Sequence, residues 1–127
     1  MSEERIPWIG VDLDGTLAEY RGWGDGSIGK PIPAMMRRVK EWLANGQLVK
    51  IFTARAYPDN SQIPMIHEWL VKNGLPKLEV TATKNYDMIE LWDDRCVQVV
   101  PNTGVPIKEW LNLTNSYLKA KDAGEIA

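Results

Sequence analysis

Hydrophobic positions along this chain fall into two alternating rhythms. Residues 6–12 form a nearly unbroken apolar run that closes on Asp12. A short continuous run of this kind marks a buried strand, and Pro7 near its start is tolerable there. Met35, Met36, Val39, Trp42 and Leu43 then recur at helical spacing, with Arg37, Arg38, Lys40 and Glu41 between them. Pro31 and Pro33 stand at the start of that stretch and Asn45-Gly46 at its end, which predicts a helix between them. Residues 47–52 are a second apolar run. Ile63, Ile66, Trp69 and Leu70 mark a second amphipathic helix, ending at Asn73-Gly74 and Pro76. Residues 78–82, 88–92 and 96–100 read as third, fourth and fifth strands, and residues 105–119 as a last helix around Ile107, Trp110, Leu111 and Leu118.

Strands alternating with helices predict an α/β fold with a mainly parallel sheet and helices on both faces. Crossovers between parallel strands are right-handed, so successive strands finish at the same edge, and ligands bind beyond those carboxyl ends. One stretch breaks the rhythm. Residues 18–30 hold Gly22, Gly24, Gly26 and Gly29, with Tyr20, Arg21 and Trp23 among them. So many glycines predict a loop, and its place after the first strand makes it a flap over the strand ends.

Composition narrows the class without naming a function. The 127 residues suit one domain, and 44% hydrophobic with 25% charged residues is ordinary globular usage. A net charge of −2 gives no electrostatic ground for a nucleic-acid polymer or an acidic membrane as partner. Cys96 is the single cysteine, so no intrachain disulfide is possible and a reducing compartment is the simpler setting. No apolar run approaches the roughly 20 residues of a membrane span, and the start Met-Ser-Glu-Glu-Arg is unlike a secretory signal. A cytoplasmic location is the expectation. Of the six tryptophans, Trp8, Trp42, Trp69 and Trp92 fall on predicted strands or helix faces and are expected in the core, while Trp23 and Trp110 are candidates for a ligand or interface contact. His67 has no acidic or cysteine neighbour at ligand spacing and reads as a packing or surface histidine.

Candidate chemistry collects at the strand ends. Asp12 and Asp14 follow the first run, Thr53 and Arg55 the second, Lys84 the third, Asp93 and Asp94 the fourth. Two carboxylates two residues apart on a continuing strand share a face. They repel unless a cation, a proton or N–H donors compensate them. Gly15 beyond them permits a sharp turn. The acidic set suits a hard divalent cation such as Mg²⁺, and the hydroxyl and cationic groups suit phosphate oxygens. Singly, each has an ordinary explanation: a turn at Asp14-Gly15, an N-cap at Thr53, a surface lysine at Lys84, a solvated strand end at Asp93-Asp94-Arg95. Their convergence on one edge favours a site.

The order Asp12-Leu13-Asp14-Gly15-Thr16, then Thr53, Lys84 and Asp93-Asp94, resembles the four-motif signature of the haloacid dehalogenase superfamily, phosphatase branch. The resemblance covers a core of about residues 6–100 and implies a Rossmann-like fold with Mg²⁺-dependent phosphoryl transfer through an aspartyl phosphate. On that resemblance Asp12 is the nucleophile. Asp14 is general acid and then base, with its main-chain carbonyl a metal ligand. Thr53 hydrogen-bonds a phosphoryl oxygen and Lys84 neutralises charge. Asp93 completes the Mg²⁺ site, with Asp94 a second ligand or an orienter. Thr53, Ala54, Arg55 and Lys84, together with Tyr20, Arg21 and Trp23 of the flap, form the expected substrate-contacting set. The gaps after the first and second motifs are too short for a cap domain, so the resemblance is to a capless, single-domain member. Such an open site admits a large substrate or takes cover from a neighbouring copy of the chain. The expected activity is hydrolysis of a small phosphorylated metabolite, a sugar phosphate or nucleotide, with no membrane partner. The alternatives are a phosphatase of nucleic-acid ends, a transferase using an acceptor other than water, and a non-catalytic Mg²⁺-binding regulatory module of the same fold.

Overall fold

Burial of the first apolar run decides how the sheet is built. The computed structural model describes residues 5–107. Strand β1, Trp8–Val11, is buried at all four positions. Successive strand residues point to opposite faces, so both faces of β1 are covered. Helix α1 (Pro33–Ala44), strand β2 (Leu48–Phe52), helix α2 (Ile63–Lys72), strand β3 (Val80–Thr81) and strand β4 (Met88–Trp92) follow in order. The four strands form one sheet in the order β3-β2-β1-β4. Every pairing is parallel: β1 with β2, β1 with β4, and β2 with β3.

The core joins Ile9 and Val11 of β1 and Val49 and Ile51 of β2 to Met35, Met36 and Val39 of α1 and Ile66 and Leu70 of α2. Both helices carry a proline in their first turn, where the missing N–H costs nothing. The expected stripes are thus the buried faces. Trp8 is buried, and Trp42, Trp69 and Trp92 are partly buried against the core. His67 accepts or donates one bond, Nε2 to the Leu78 carbonyl at 2.8 Å, as a packing histidine would.

Strand order creates the working edge. From β1 the chain steps to β2 and β3 on one side, then returns to place β4 on the other. Such a reversal opens a crevice beyond the carboxyl ends of the two strands that flank it. Here they are β1 and β4.

Three expectations need correction. β1 stops at Val11, one residue before Asp12, because the chain turns at once: the Leu13 carbonyl accepts from Leu17 and Ala18 at 3.1 and 2.9 Å. β3 shrinks to two residues. Residues 96–100 add no strand to the sheet; they fold back on their own continuation. Val99 bridges Pro106 antiparallel, the Val100 N–H donates to Val105 at 2.8 Å, and the Ile107 N–H donates to Gln98 at 2.8 Å. Asn102 at φ 64° and Gly104 at φ 72° make the turn between. Chain contacts divide the molecule into two compact units, Met1–Asp94 and Arg95–Ala127, with the sheet and both helices in the first. Of the helix expected over residues 105–119, only 105–107 are described, in the returning limb of that turn; the rest, with Trp110, lies outside the described residues.

The flap is irregular but anchored. Ala18 bridges Pro31 antiparallel, the Glu19 N–H donates to Lys30 at 2.8 Å, and the Ile32 N–H donates to Leu17 at 2.8 Å. The Trp69 indole N–H of α2 donates to the Gly29 carbonyl at 2.9 Å. Gly29 has no room for a side chain, since a Cβ there would run into the Glu19 carbonyl. Among the described residues no helix is long and apolar enough to cross a membrane.

The contrast along α2 is testable. Ile66 is fully buried and Val71 is 52% exposed. Ile66→Ala is expected to lower unfolding free energy by about 2–5 kcal/mol, and Val71→Ala to change it by less than about 0.5 kcal/mol. Denaturant titration of both variants measures the difference; equal effects would mean that α2 does not pack as described.

Candidate active site

The β1–β4 register brings the first acidic group to its neighbours. Val11 stands opposite Trp92, and the ladder continues one step further, with the Asp12 N–H donating to the Trp92 carbonyl at 2.9 Å. The residues that come next, Asp12 and Asp93, therefore lie side by side. Beyond Trp92 the chain turns, which lets the adjacent Asp94 reach the same place. Asp12, Asp93 and Asp94 each offer a carboxylate oxygen, and those atoms all lie within 4.8 Å of one another. Gly15, at φ 93°, completes the close approach: a Cβ there would collide with the Asp94 carboxylate.

Thr16 stitches the cluster. Its Oγ1 lies 3.3 Å from Asp12 Oδ2 and 3.3 Å from Asp94 Oδ1, and it accepts from the Asp94 N–H at 3.0 Å. A hydroxyl has one proton, so it serves one of the two carboxylates at a time. Burial, a hydrogen bond shared with Asp94 and the negative charges of Asp93 and Asp94 push the Asp12 carboxyl up to about 8, while the Thr16 hydroxyl pulls the other way. The cluster could hold a proton or a cation. Its donors are all hard oxygens, which fit Mg²⁺ or Ca²⁺ and not the soft metals that select thiolate or imidazole.

Asp14 goes elsewhere. With β1 ended, strand alternation no longer sets its direction, and the expectation that it shares a face with Asp12 fails. Its two oxygens are gripped by Arg55, Nε to Oδ2 at 2.7 Å and Nη2 to Oδ1 at 2.9 Å. Arg55 was expected to meet a second anionic group on a substrate. The structure corrects this: Arg55 is 4% exposed, and its other N–H groups donate to the Gly26 carbonyl at 2.6 Å, Gln62 Oε1 at 3.0 Å and the Ser27 carbonyl at 3.4 Å. The Trp23 ring covers it, 4.6 Å from ring centre to guanidinium carbon.

The remaining candidates are less gathered. Thr53 is buried and its Oγ1 accepts from the Arg55 N–H at 3.2 Å, capping a single 3₁₀ turn, Ala54–Ala56. The hydroxyl keeps its own proton to donate. Ala54 is exposed. Lys84 follows β3, two strands from β1, and is exposed; its ammonium makes no ion pair among the described residues, and it is not among the groups that act on Asp12. Among the described residues no ion pair joins Lys84 to Asp12. Tyr20 and Trp23 are half exposed, and Arg21, 3.9 Å from Glu19, is exposed. With Asp25, Ser27 and Lys30 they line a flap pocket of about 470 Å³.

Two contributors are not evident from the sequence pattern. Thr16 stands in the first motif, and its place one turn after Asp12 was the available signal. Gln62, at the head of α2, had none.

The raised Asp12 carboxyl sets a pH dependence. Free of structure it ionises near 3.8, and in the folded chain near 8. Between those values the folded state keeps a proton that the unfolded state has released, so this group's stabilisation is present at low pH and is lost as pH rises through the folded value. In chelator, the denaturation midpoint is expected to fall between about pH 4 and about pH 8 and to level off above that. Asp12→Asn should flatten that fall, and millimolar Mg²⁺ should oppose it, since a cation binds the deprotonated carboxylate. A midpoint in chelator that does not fall over this range would contradict the crowding of charge at Asp12. Comparison with protein-family models, curated proteins and solved structures found no match.

Proposed function

We propose that this chain is a Mg²⁺-dependent phosphomonoester hydrolase of the haloacid dehalogenase type, working through a phosphoaspartate on Asp12. One observation carries the reading: Asp12 lies with Asp93 and Asp94 at the crevice between β1 and β4, while Asp14, two residues on, is held separately by Arg55. Two carboxylates kept in different environments at one sheet edge suit two different roles. The parallel sheet supports the wider reading as a capless Rossmann-like domain with helices flanking both faces.

Asp12 attacks phosphorus with one carboxylate oxygen, and the bond to the leaving oxygen breaks as the new O–P bond forms. Asp14, once one oxygen is freed from Arg55 and protonated, gives that proton to the leaving oxygen. In the second half, Asp14 takes a proton from water as the water oxygen attacks phosphorus, releasing phosphate and restoring Asp12. Asp12, Asp93, Asp94 and the Asp14 carbonyl would hold Mg²⁺, which supplies the positive charge that lets an anionic phosphate meet an anionic nucleophile. Thr53 donates its hydroxyl proton to a phosphoryl oxygen. Lys84, with no ion pair among the described residues, is the cation available to the phosphate. The flap aromatics Tyr20 and Trp23 favour a small substrate with a flat face, a nucleotide over a sugar, because base–aromatic stacking tolerates any base. A single cysteine accords with a reducing, cytoplasmic setting.

Purified protein is expected to hydrolyse an aryl phosphate with Mg²⁺ present and not in chelator. Asp12→Asn should cut kcat by about 1,000-fold or more, as loss of a nucleophile does. Full turnover by that variant, or by the wild type in chelator, would refute the mechanism. Binding of Mg²⁺ without turnover of any phosphomonoester would favour the regulatory module instead.

A further inference from the structure

Arg55 is spent in a way that neither metal binding nor phosphate binding explains. A guanidinium has five N–H donors, and in this structure all five are used. Two hold Asp14, two hold the flap through the Gly26 and Ser27 carbonyls, and one holds Gln62 at the head of α2. The flap adds the Trp23 ring over the same group. Arg55 itself is pinned from behind: Thr53 caps its 3₁₀ turn, and the Tyr57 N–H closes that turn onto the Ala54 carbonyl at 3.0 Å. A buried, fully satisfied cation cannot release one partner without leaving donors unpaired against the others, which is costly.

We propose that Arg55 is a positioning residue that couples the flap to Asp14: one guanidinium fixes the direction of the Asp14 carboxylate and the docked position of residues 20–29, so each depends on the other. The catalytic consequence rests on the proton-transfer role proposed for Asp14 above; the mechanical coupling does not. With the flap docked, Gly26 and Ser27 hold the plane of the guanidinium, and that plane fixes both Asp14 oxygens. When the flap lifts, Nη1 and Nη2 lose their carbonyls and only Gln62 and Asp14 itself hold the fork, so Asp14 is less firmly aligned toward the leaving oxygen. Lysine cannot replace this arrangement. An ammonium has three donors and no planar fork, so it can pair with Asp14 or serve the flap, but not both with the same geometry.

Two measurements on the full chain test the coupling. The first is hydrogen exchange at the flap amides of Glu19, Gly26 and Ser27, all hydrogen-bonded in the structure. Arg55→Lys and Asp14→Ala should each speed exchange there by about tenfold, with the amides of β1 and β2 unchanged. Asp14→Ala lies outside the flap, so its effect reports transmission through Arg55; Asp14→Asn, which keeps one acceptor oxygen for the guanidinium, keeps the test valid if Arg55→Lys or Asp14→Ala fails to fold.

The second measurement compares kcat/KM for an aryl phosphate, whose leaving group needs no proton, with that for an alkyl phosphate, whose leaving group does. Arg55→Lys should raise the aryl-to-alkyl ratio by about tenfold, a fraction of the 10²–10⁴ that a positioned acid is worth. Asp14→Asn should raise it in the same direction. An equal fall on both substrates would show Arg55 to be merely structural and overturn its positioning role. Unchanged flap exchange in Asp14→Ala would overturn the coupling. If the wild type turns over neither substrate, the phosphatase reading fails while the exchange result still decides whether flap and Asp14 move as one.

Discussion

Three carboxylates crowd at the end of β1 because the ladder that buries β1 leaves them nowhere else to go. Trp8, Ile9 and Val11 are 1%, 3% and 0% exposed, so the strand cannot shift to relieve repulsion without giving up core. Its register against β4 then forces the residue after Val11 beside the residue after Trp92. Both are aspartates. Gly15 makes room for Asp94, where any side chain would keep it out. Hydrophobic burial thus holds charge in an arrangement that electrostatics alone would disperse.

The same sheet edge handles its second aspartate in the opposite way. Asp14 receives a permanent cation, and the bidentate grip leaves neither oxygen idle. Asp12 has only the Thr16 hydroxyl, which it shares with Asp94, and a hydrogen bond with Asp94 itself, so a proton is its counterpart to that cation. Exchangeable compensation suits a group that must bind, react and be restored. Permanent compensation suits one whose direction matters more than its availability. The flap belongs to the second arrangement, because the guanidinium that holds Asp14 also holds Gly26 and Ser27.

Much of this is legible in the sequence, and the limits are physical. The 3.6-residue stripes around Val39 and Ile66 identify both helices, since their buried faces are also their periodic faces. The apolar runs identify β1, β2 and β4, and the strand-end rule brings Asp12, Asp93 and Asp94 to one edge. Val97, Val99 and Val100 carry the same β-branched signal as a sheet strand, yet they lie 45%, 48% and 41% exposed in a local turn. Apolar pattern states a preference for extended backbone, not which neighbour will accept it. Arg55 shows a second limit. Its spacing after Thr53 suggests a ligand contact, while its real partners come from the flap, from α2 and from Asp14, forty-one residues away.

What separates the two aspartates is the residue between them. Leu13 is fully buried, and its carbonyl accepts from the N–H groups of Thr16, Leu17 and Ala18 at 3.4, 3.1 and 2.9 Å. An apolar side chain driven into the core at that point ends the strand's alternation, so the carboxylates before and after it leave in different directions. Had the strand continued, Asp14 would have joined the negative cluster, and Arg55 would have been drawn into that same crowded space. A single buried leucine therefore converts a repeated acidic pair into two groups with separate partners. The turn it pins also carries Thr16 back to the cluster and Ala18 forward to the flap, so the acidic edge and the flap spring from one stretch of backbone, residues 13–18.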